Sequence, residues 1–563
     1  MRDLSVAVIL DEFSLMAFGF EWNAITVQPG SWKQTLESCL PDLLFVESAW
    51  AGNSGAWQYK LTGNNGPSED LISLVEWCQQ QGIPTVFWNK EDPPHYEDFL
   101  GAARLFDVVF TSDQRKIPDY IRDLGHDRVD VLPFAAQPAV HNPVRPSHGW
   151  HERGIAFAGM YFTHKYPERR AQLDYLLSGA VAGSKGTGFG LEIFSRMLGG
   201  DPRYQFPDHF SGYVVGQLPY EEMLTAYKSY KVFLNVNSVT DSPSMCARRI
   251  FEIEASGTPV VTAPSAAIGE FFPPDEVWVA RNALETQHSV RALIRNEDIG
   301  ERAAHLAQRR IWAQHTYTQR VSTILETVKR RDEIRSPYVS CLVATNRPYQ
   351  LDHVFSQFGQ QTYESRQLVI LTHGFEPAAQ EIKNLQSRYA IEEIKLIHGF
   401  ADRTLGECLN ELIDASDGDV LSKMDDDDLY GPHYLQDLVN ALSFSGADVV
   451  GKGAHYMRIE GLDVLLRRFA DKEHRFANHV MGPTITAPRS LFTDIRFAAL
   501  KQGEDTEFLS RVVASGASIY AADRFNFVQV RKSHQHTWRL SDLEALSLGD
   551  VEVHGNFGEH VFI

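Results

Sequence analysis

The sequence predicts an α/β protein: two Rossmann-like units in tandem, followed by a third α/β domain with a mixed sheet. Three features carry that expectation. Short apolar runs alternate with amphipathic stretches, the alternation stops at two Pro- or charge-rich passages, and it restarts after each. A length of 563 residues calls for several domains. Hydrophobic residues at 43%, with 11% aromatics, supply a core for each of them.

Residues 1–150 make the first unit. "SVAVIL", "DLLFVES", "PTVFWNK", "DVVFTSD" and "RVDVLPF" are strand-like runs, and "EDLISLVEWCQQQG" and "YEDFLGAARLF" are amphipathic pieces between them. Such alternation gives a parallel sheet covered on both faces. "AAQPAVHNPVRPSHGWHERG" then breaks the pattern as a linker. Residues 151–330 repeat it, from "GIAFAGMYF" through "KVFLNVNS", "MCARRIFEIEASG" and "TPVVTAP" to one long amphipathic stretch, "NEDIGERAAHLAQRRIWAQHTYTQRVSTILETVKRR". A ligand is expected in the crevice between the two halves. "KRRDEIRSPY" is a second boundary, and residues 337–563 form the third domain, with strand-like "YVSCLVATN", "QLVILTHG", "EIKLIHG" and "DVLSKM".

Composition excludes several classes. A net charge of −20 argues against a nucleic-acid grip, which needs a basic face. It leaves room for an anionic small ligand held by local basic groups and helix N-termini. Charged residues at 22% are those of a folded chain. Cys39, Cys78, Cys246, Cys341 and Cys408 are scattered without a CxxC spacing, as reduced thiols of a cytoplasmic protein are. The N-terminus turns acidic too soon for a signal peptide, and no apolar run reaches the ~18–20 residues of a membrane span. The expected location is cytoplasmic, with peripheral association at the inner face of the membrane left open.

"KMDDDDLYGPHYL" places Asp425, Asp426, Asp427 and Asp428 in a row at the end of an apolar run. Carboxylates ~5 Å apart at an effective dielectric near 20 repel by roughly 3 kcal/mol per pair. The run is therefore either a solvated turn or half of a metal site. On an extended strand Asp425 and Asp427 share a face, and two hard oxygen ligands suit Mg2+ or Mn2+. Asp428 helps from the turn on this reading, and Asp426 is the bystander.

The surroundings of that run closely resemble the family-2 glycosyltransferases of the GT-A fold. "TNRP", "DGDVLSKMDDDD", "GPTITAPRSLF" and "GEDTEFLSRVVASG" follow in order between Tyr338 and Trp538. The resemblance implies sugar transfer from a nucleotide-sugar with inversion, assisted by a divalent metal. It implies Asp425, Asp427 and Asp428 as the metal and donor-diphosphate motif. Glu504 and Asp505 are its acidic pair, with Asp505 as the general base on the acceptor hydroxyl. "VQVRKSHQHTW" resembles the family's basic and metal-contacting segment, which brings in Arg531 and either His534 or His536. Thr345, Asn346 and Arg347 are expected to line the nucleotide pocket. Read without its surroundings, "GEDTEF" is a helix N-terminus whose acids complement the dipole. His373 stands where the family usually has an acid near the nucleotide base, so the base stays open.

"DSPSMCARRIFEIEASGTPVVTAP" carries the chemistry of the second unit. Ser242-Pro243-Ser244 can cap a helix whose N-terminus offers a diphosphate site. Arg249 and Glu252 lie three apart, as a phosphate and ribose pair or as an ordinary salt bridge. The segment from Gly154 to Arg330 resembles the C-terminal half of GT-B glycosyltransferases, especially the spore-maturation-protein-like branch. That resemblance implies Gly159, Lys165 and Arg169 near donor phosphates. Families with a paired-Glu motif place a second Glu eight residues before Glu252, where this chain has Ser244, so stereochemistry stays open. In the first unit Glu91, Asp92 and His95 are base or acceptor-binding candidates or simply turn residues. Trp50 and Trp57 form a sugar-stacking wall or a packed loop.

The resulting expectation is a bifunctional glycosyltransferase. Both modules take nucleotide-sugars, and a glycan or glycolipid of a bacterial surface polymer is the acceptor. The alternative is one active GT-A transferase with a GT-B-like glycan- or partner-binding module. A nucleotidyltransferase is disfavoured, because no basic, glycine-rich nucleotide-gripping loop is present.

Overall fold

A computed structural model describes residues 1–62, 66–332, 334–532 and 541–563. The chain divides into two compact units, Met1–Ile334 and Arg335–Ile563. The first contains two sheets and the second contains two more, so the α/β class read from the sequence is the one observed.

The first sheet comprises β1 (Ser5–Ile9), β2 (Asn23–Thr26), β3 (Leu43–Glu47), β4 (Thr85–Asn89), β5 (Val108–Thr111) and β6 (Val129–Val131). Its order is β2-β1-β3-β4-β5-β6, all parallel. β3, β4 and β5 are buried at every residue, which is why they read as unbroken apolar runs. The second sheet comprises β7 (Arg153–Ala158), β8 (Leu191–Phe194), β9 (Val214–Gly216), β10 (Tyr230–Asn235), β11 (Val260–Thr262) and β12 (Trp278–Val279). It runs β12-β11-β10-β7-β8-β9, again parallel. Read from β9, that is the 3-2-1-4-5-6 order of a dinucleotide-binding sheet, with its switch point between β7 and β10.

The two halves share one core. Val6, Trp22 and Trp88 of the first pack in a single cluster with Phe233, Ile250 and Tyr317. The amphipathic stretch expected to be continuous is two helices, Glu297–Gln314 and Tyr317–Thr327, because Thr316 and Gln319 form a capping box that starts a new one. The second of these helices returns to the first half. Arg320 donates to the carbonyls of Pro133 at 2.8 Å and Phe134 at 3.1 Å. Arg2 reaches Glu21 at 2.7 Å and Asp332 at 2.8 Å.

Two expectations are corrected here. Ser242 and Ser244 do not cap the helix Arg248–Ala255, whose N-cap is Ala247. Instead Ser242 donates to Asp113 at 2.7 Å, and Ser244 accepts from the Gln114 amide at 2.8 Å and donates to the Ser112 carbonyl at 3.0 Å. The loop thus ties the second half to the first. Trp57 is fully buried and donates to the Val27 carbonyl, so it is core and not a sugar wall. Trp50 is half-buried against His95 and Phe99.

The second unit has an eight-stranded mixed sheet. It comprises β13 (Val339–Thr345), β14 (Arg366–His373), β15 (Ile394–Gly399), β16 (Val420–Lys423), β18 (Val449–Gly451), β21 (Arg475–Ala477), β22 (Thr486–Pro488) and β23 (Ile519–Ala521). The order is β15-β14-β13-β16-β22-β18-β23-β21, antiparallel where β22 and β21 join. A five-stranded sheet, β17-β24-β19-β20-β25, uses Leu429–Tyr430, Phe527–Arg531, His455–Ile459, Val464–Arg468 and Asp550–His554. The acidic turn joins β16 of one sheet to β17 of the other. Among the described residues no helix is long and apolar enough to cross a membrane.

Candidate active site

β13 lies between β14 and β16, so successive connections leave it in opposite directions and a crevice opens at the carboxyl ends of β13 and β16. A cavity of about 280 Å3 occupies it. Arg347 follows β13, Lys423 and the four aspartates end β16, and Gln529 to Arg531 of β24 close the far side.

The aspartates do not lie on an extended strand. β16 ends at Lys423 and residues 426–428 form a turn, so the pleat that would pair Asp425 with Asp427 is absent. The turn sorts them by partner. Asp425 Oδ1 accepts from Lys423 Nζ at 2.8 Å. Asp427 Oδ2 accepts from Arg347 Nη1 at 2.7 Å. Asp428 Oδ1 accepts from the Val530 amide at 2.9 Å. Asp426, expected to be a bystander, is buried and holds the Thr345 hydroxyl and the Arg347 guanidinium, the latter at 2.6 Å. It is the anchor of the turn.

Burial pushes Asp426 up to about 6, against the pull of Thr345 and Arg347. Burial, with Asp427 and Asp425 close by, holds Asp428 well above the usual carboxylate range. Asp425 is also raised by its depth in the cleft, although Lys423 opposes the shift. Four carboxylates therefore share the crevice with three cations, Lys423, Arg347 and Arg531. Carboxylate oxygens are the hard donors that a divalent cation such as Mg2+ or Mn2+ takes.

Asp505 and Glu504 open the helix Glu504–Ala514, behind Gly503 in the left-handed region at φ 78°. They do not line the cavity; Lys423 joins them to it. Its Nζ also donates to Asp505 Oδ2 at 3.0 Å, and its side chain is 4% exposed. Asp505 Oδ1 is buried with no hydrogen-bond partner among the described residues. Glu504 is buried, which raises it, and Asp505 raises it further. Two like-charged carboxylates thus stand beside one buried ammonium ion, an arrangement that moves protonation equilibria.

Of the other expected residues here, Arg531 lines the cavity and Thr345 reaches it through Asp426. Asn346 is exposed and does not line it. His373 ends β14 with a buried Nε2 that has no partner among the described residues. His534 and His536 lie outside the described residues. Lys423 was missed. Its signal is a lysine inside the apolar run "VLSKM", where a solvated side chain has no place unless it is paired.

In the first unit a cavity of about 200 Å3 sits at the switch point of the second sheet, past the end of β10. Arg169, Arg248 and Arg249 line it. The Nε atoms of Arg169 and Arg249 are buried without hydrogen-bond partners among the described residues. Arg169 falls to about 10 because burial and then the Arg249 charge oppose its own. Arg196 is lowered likewise, by partial desolvation and then by Arg249 and Arg248; it is a further residue the sequence reading missed. Arg248 is balanced by Glu252, but Arg169 and Arg249 have no carboxylate partner among the described residues, and guanidinium groups so placed by the start of the helix Arg248–Ala255 favour an anion. Gly159 is placed beside Arg169, where a Cβ would lie 3.4 Å from a guanidinium nitrogen. Lys165 is exposed, stacked on Phe162 and Tyr166, and does not line the cavity.

Two acidic candidates of this unit are sealed. Glu252 is 1% exposed. It accepts from the hydroxyls of Tyr220 at 2.8 Å and Tyr227 at 3.0 Å, and its salt-bridge partner is Arg248 at 3.3 Å, not Arg249. No oxygen is left to meet a ribose. Asp92 is fully buried between Asn89, Thr111 and Tyr120, so it cannot touch an acceptor. His95 is partly exposed and bonds Asp98 at 2.7 Å. Glu91 is partly exposed beside it.

Residues 174–326 match the family model described as glycosyl transferase-like, and residues 341–499 match glycosyl transferase family 2. No curated protein matches the chain. Among solved structures, the mannosyltransferase PcManGT from Pyrobaculum calidifontis, in complex with GDP-Man and Mn2+, is 15% identical; the match covers 43% of this chain and 69% of that one, at a TM-score of 0.30. TarS residues 1–349 from S. aureus, in complex with UDP-GlcNAc, is 16% identical over 36% of this chain and 61% of that one, at 0.29. TarM is 11% identical over 52% and 57%, at 0.34.

Proposed function

We propose, of a chain that is a glycosyltransferase by both of its family domains, that its second unit is a metal-dependent inverting transferase and its first unit holds a second nucleotide-sugar site. The observation that carries this is the meeting of the aspartate turn, Lys423 and Asp505 at the carboxyl ends of β13 and β16. Asp425, Asp427 and Asp428 would hold the metal, whose chemistry when bound is to neutralise charge on the departing diphosphate. Arg347 and Arg531 face the same diphosphate. Asp505 takes the acceptor hydroxyl proton as the acceptor oxygen bonds the anomeric carbon and the bond to the diphosphate oxygen breaks. One carboxylate opposite the leaving group suffices for a single displacement with inversion. The acceptor is a glycan or glycolipid, and the tandem modules suit stepwise growth of a surface polymer.

The test is a donor screen on the full chain with mass detection of product. Asp427→Ala is expected to lower metal-dependent turnover by about 100-fold or more with the thermal midpoint retained. Excess EDTA should abolish transfer. Full activity in EDTA, or in Asp427→Ala, refutes the metal reading.

A second reading has its own support. The first unit's cavity is lined by cations, while Glu252 and Asp92 are sealed away from any ligand. On that reading it binds an anionic ligand without turnover and recruits acceptor for the second unit. Residues 1–334 expressed alone decide: transfer from any donor supports two transferases, and donor binding without turnover supports one.

A further inference from the structure

We propose that Lys423 is a positioning residue for Asp505, and that Gly482 provides the space this arrangement needs. The inference rests on the reading of Asp505 as the base. Lys423 is the last residue of β16, and its main-chain amide donates to the Ile485 carbonyl at 2.9 Å. Its Nζ then has two carboxylate partners, Asp425 at 2.8 Å and Asp505 at 3.0 Å, in a side chain that is 4% exposed. A buried ammonium held from two sides has little rotamer freedom, so it acts as a strut between the donor-site turn and the helix that carries the base.

Gly482 makes the same point from the other side. A Cβ there would lie 2.0 Å from Asp505 Oδ2, the oxygen that bonds Lys423. Any larger residue displaces that carboxylate. Tyr430 fixes the floor independently: its hydroxyl accepts from the Asp425 amide at 2.7 Å and donates to the Pro483 carbonyl at 3.1 Å. The aspartate turn, the Gly482–Thr484 segment and the base helix are thus locked at one carboxylate. Asp505 is thereby held in register with the donor-site turn.

The experiment uses the full chain, with the donor chosen in the screen above and either the detected acceptor or water. Lys423→Met and Gly482→Ala are each expected to lower kcat by about 100-fold, with donor KM within about threefold and Mn2+–nucleoside diphosphate affinity by calorimetry likewise. Lys423→Arg should recover about tenfold of that loss. Asp505→Asn should lose at least as much, and Lys423→Met should cost nothing further in the Asp505→Asn background. Equal losses from Lys423→Met in both backgrounds would show a merely structural role and overturn the inference. A crystal structure of Gly482→Ala with Asp505 still on Lys423 would overturn it without any substrate. Turnover surviving in Asp505→Asn removes the base reading and this inference together; loss there with full kcat in Lys423→Met removes the inference alone.

Discussion

Asp92 accepts hydrogen bonds from Asn89, Thr111 and Tyr120, and burial raises its pKa from the ordinary 3.8 to about 7. Between those values the folded chain binds the proton that the unfolded chain releases. The group's stabilising contribution is therefore complete below about pH 4 and is lost as pH rises towards 7. Asp92→Asn, which keeps the shape without the charge, should gain on the native protein by a few kcal/mol across that window, read as the difference in urea midpoints at pH 5 and pH 8. A pH-independent difference refutes this. The residue scale is also where sequence reading is weakest. "EDPPH" shows that Asp92 is acidic and ends a strand, but not that Tyr120 folds over it. "RRIFE" shows Glu252 on a helix, but not that two tyrosines about thirty residues upstream consume both its oxygens. Burial of a charged group depends on contacts distant in the chain, and residue type alone is silent about them.

Elements were far more legible, because periodicity is a local property. The apolar runs of β3, β4 and β5 and the amphipathic helices between them follow directly from which faces are covered. What stayed hidden is how closely elements approach. In the helix Leu405–Ala415, Thr404 and Glu407 form a capping box, and the second residue, Gly406, has no room for a side chain: a Cβ would lie 1.8 Å from the Ala498 carbonyl oxygen. Gly406→Ala should therefore destabilise the second unit by about 3 kcal/mol or more despite the better helix propensity of alanine. Thr404→Ala should cost about 1 kcal/mol through loss of the cap. Thermal or urea unfolding of both variants checks the ranking; an alanine at 406 that stabilises would show that the contact relaxes freely. The acidic turn belongs to this scale too. Its position at the end of β16 was readable, while its conformation was not, since a turn and a strand end look alike until the partners Thr345, Arg347 and Val530 are known.

At the scale of the whole molecule, the first unit is closed by residues from its two extremes. Arg2 donates to Glu21, to Asp332, to the Thr318 carbonyl and to Ser322. A fragment ending at residue 330 loses Asp332 and should melt below one ending at 334, by about 2 kcal/mol for the charged hydrogen bonds removed. Equal midpoints would mean that Glu21, Thr318 and Ser322 satisfy Arg2 without Asp332. The same closure has a temporal side. The six strands of the first sheet are complete by Val131, yet the helix that packs into their core cluster and the carboxylate that clamps Arg2 emerge some two hundred residues later. During synthesis the first half must wait, partly open, for the second half to be made before it can finish folding. The order of translation and the order of assembly therefore run against each other, and a pause or truncation between residues 150 and 316 would strand exposed apolar residues of the shared core instead of releasing a finished domain.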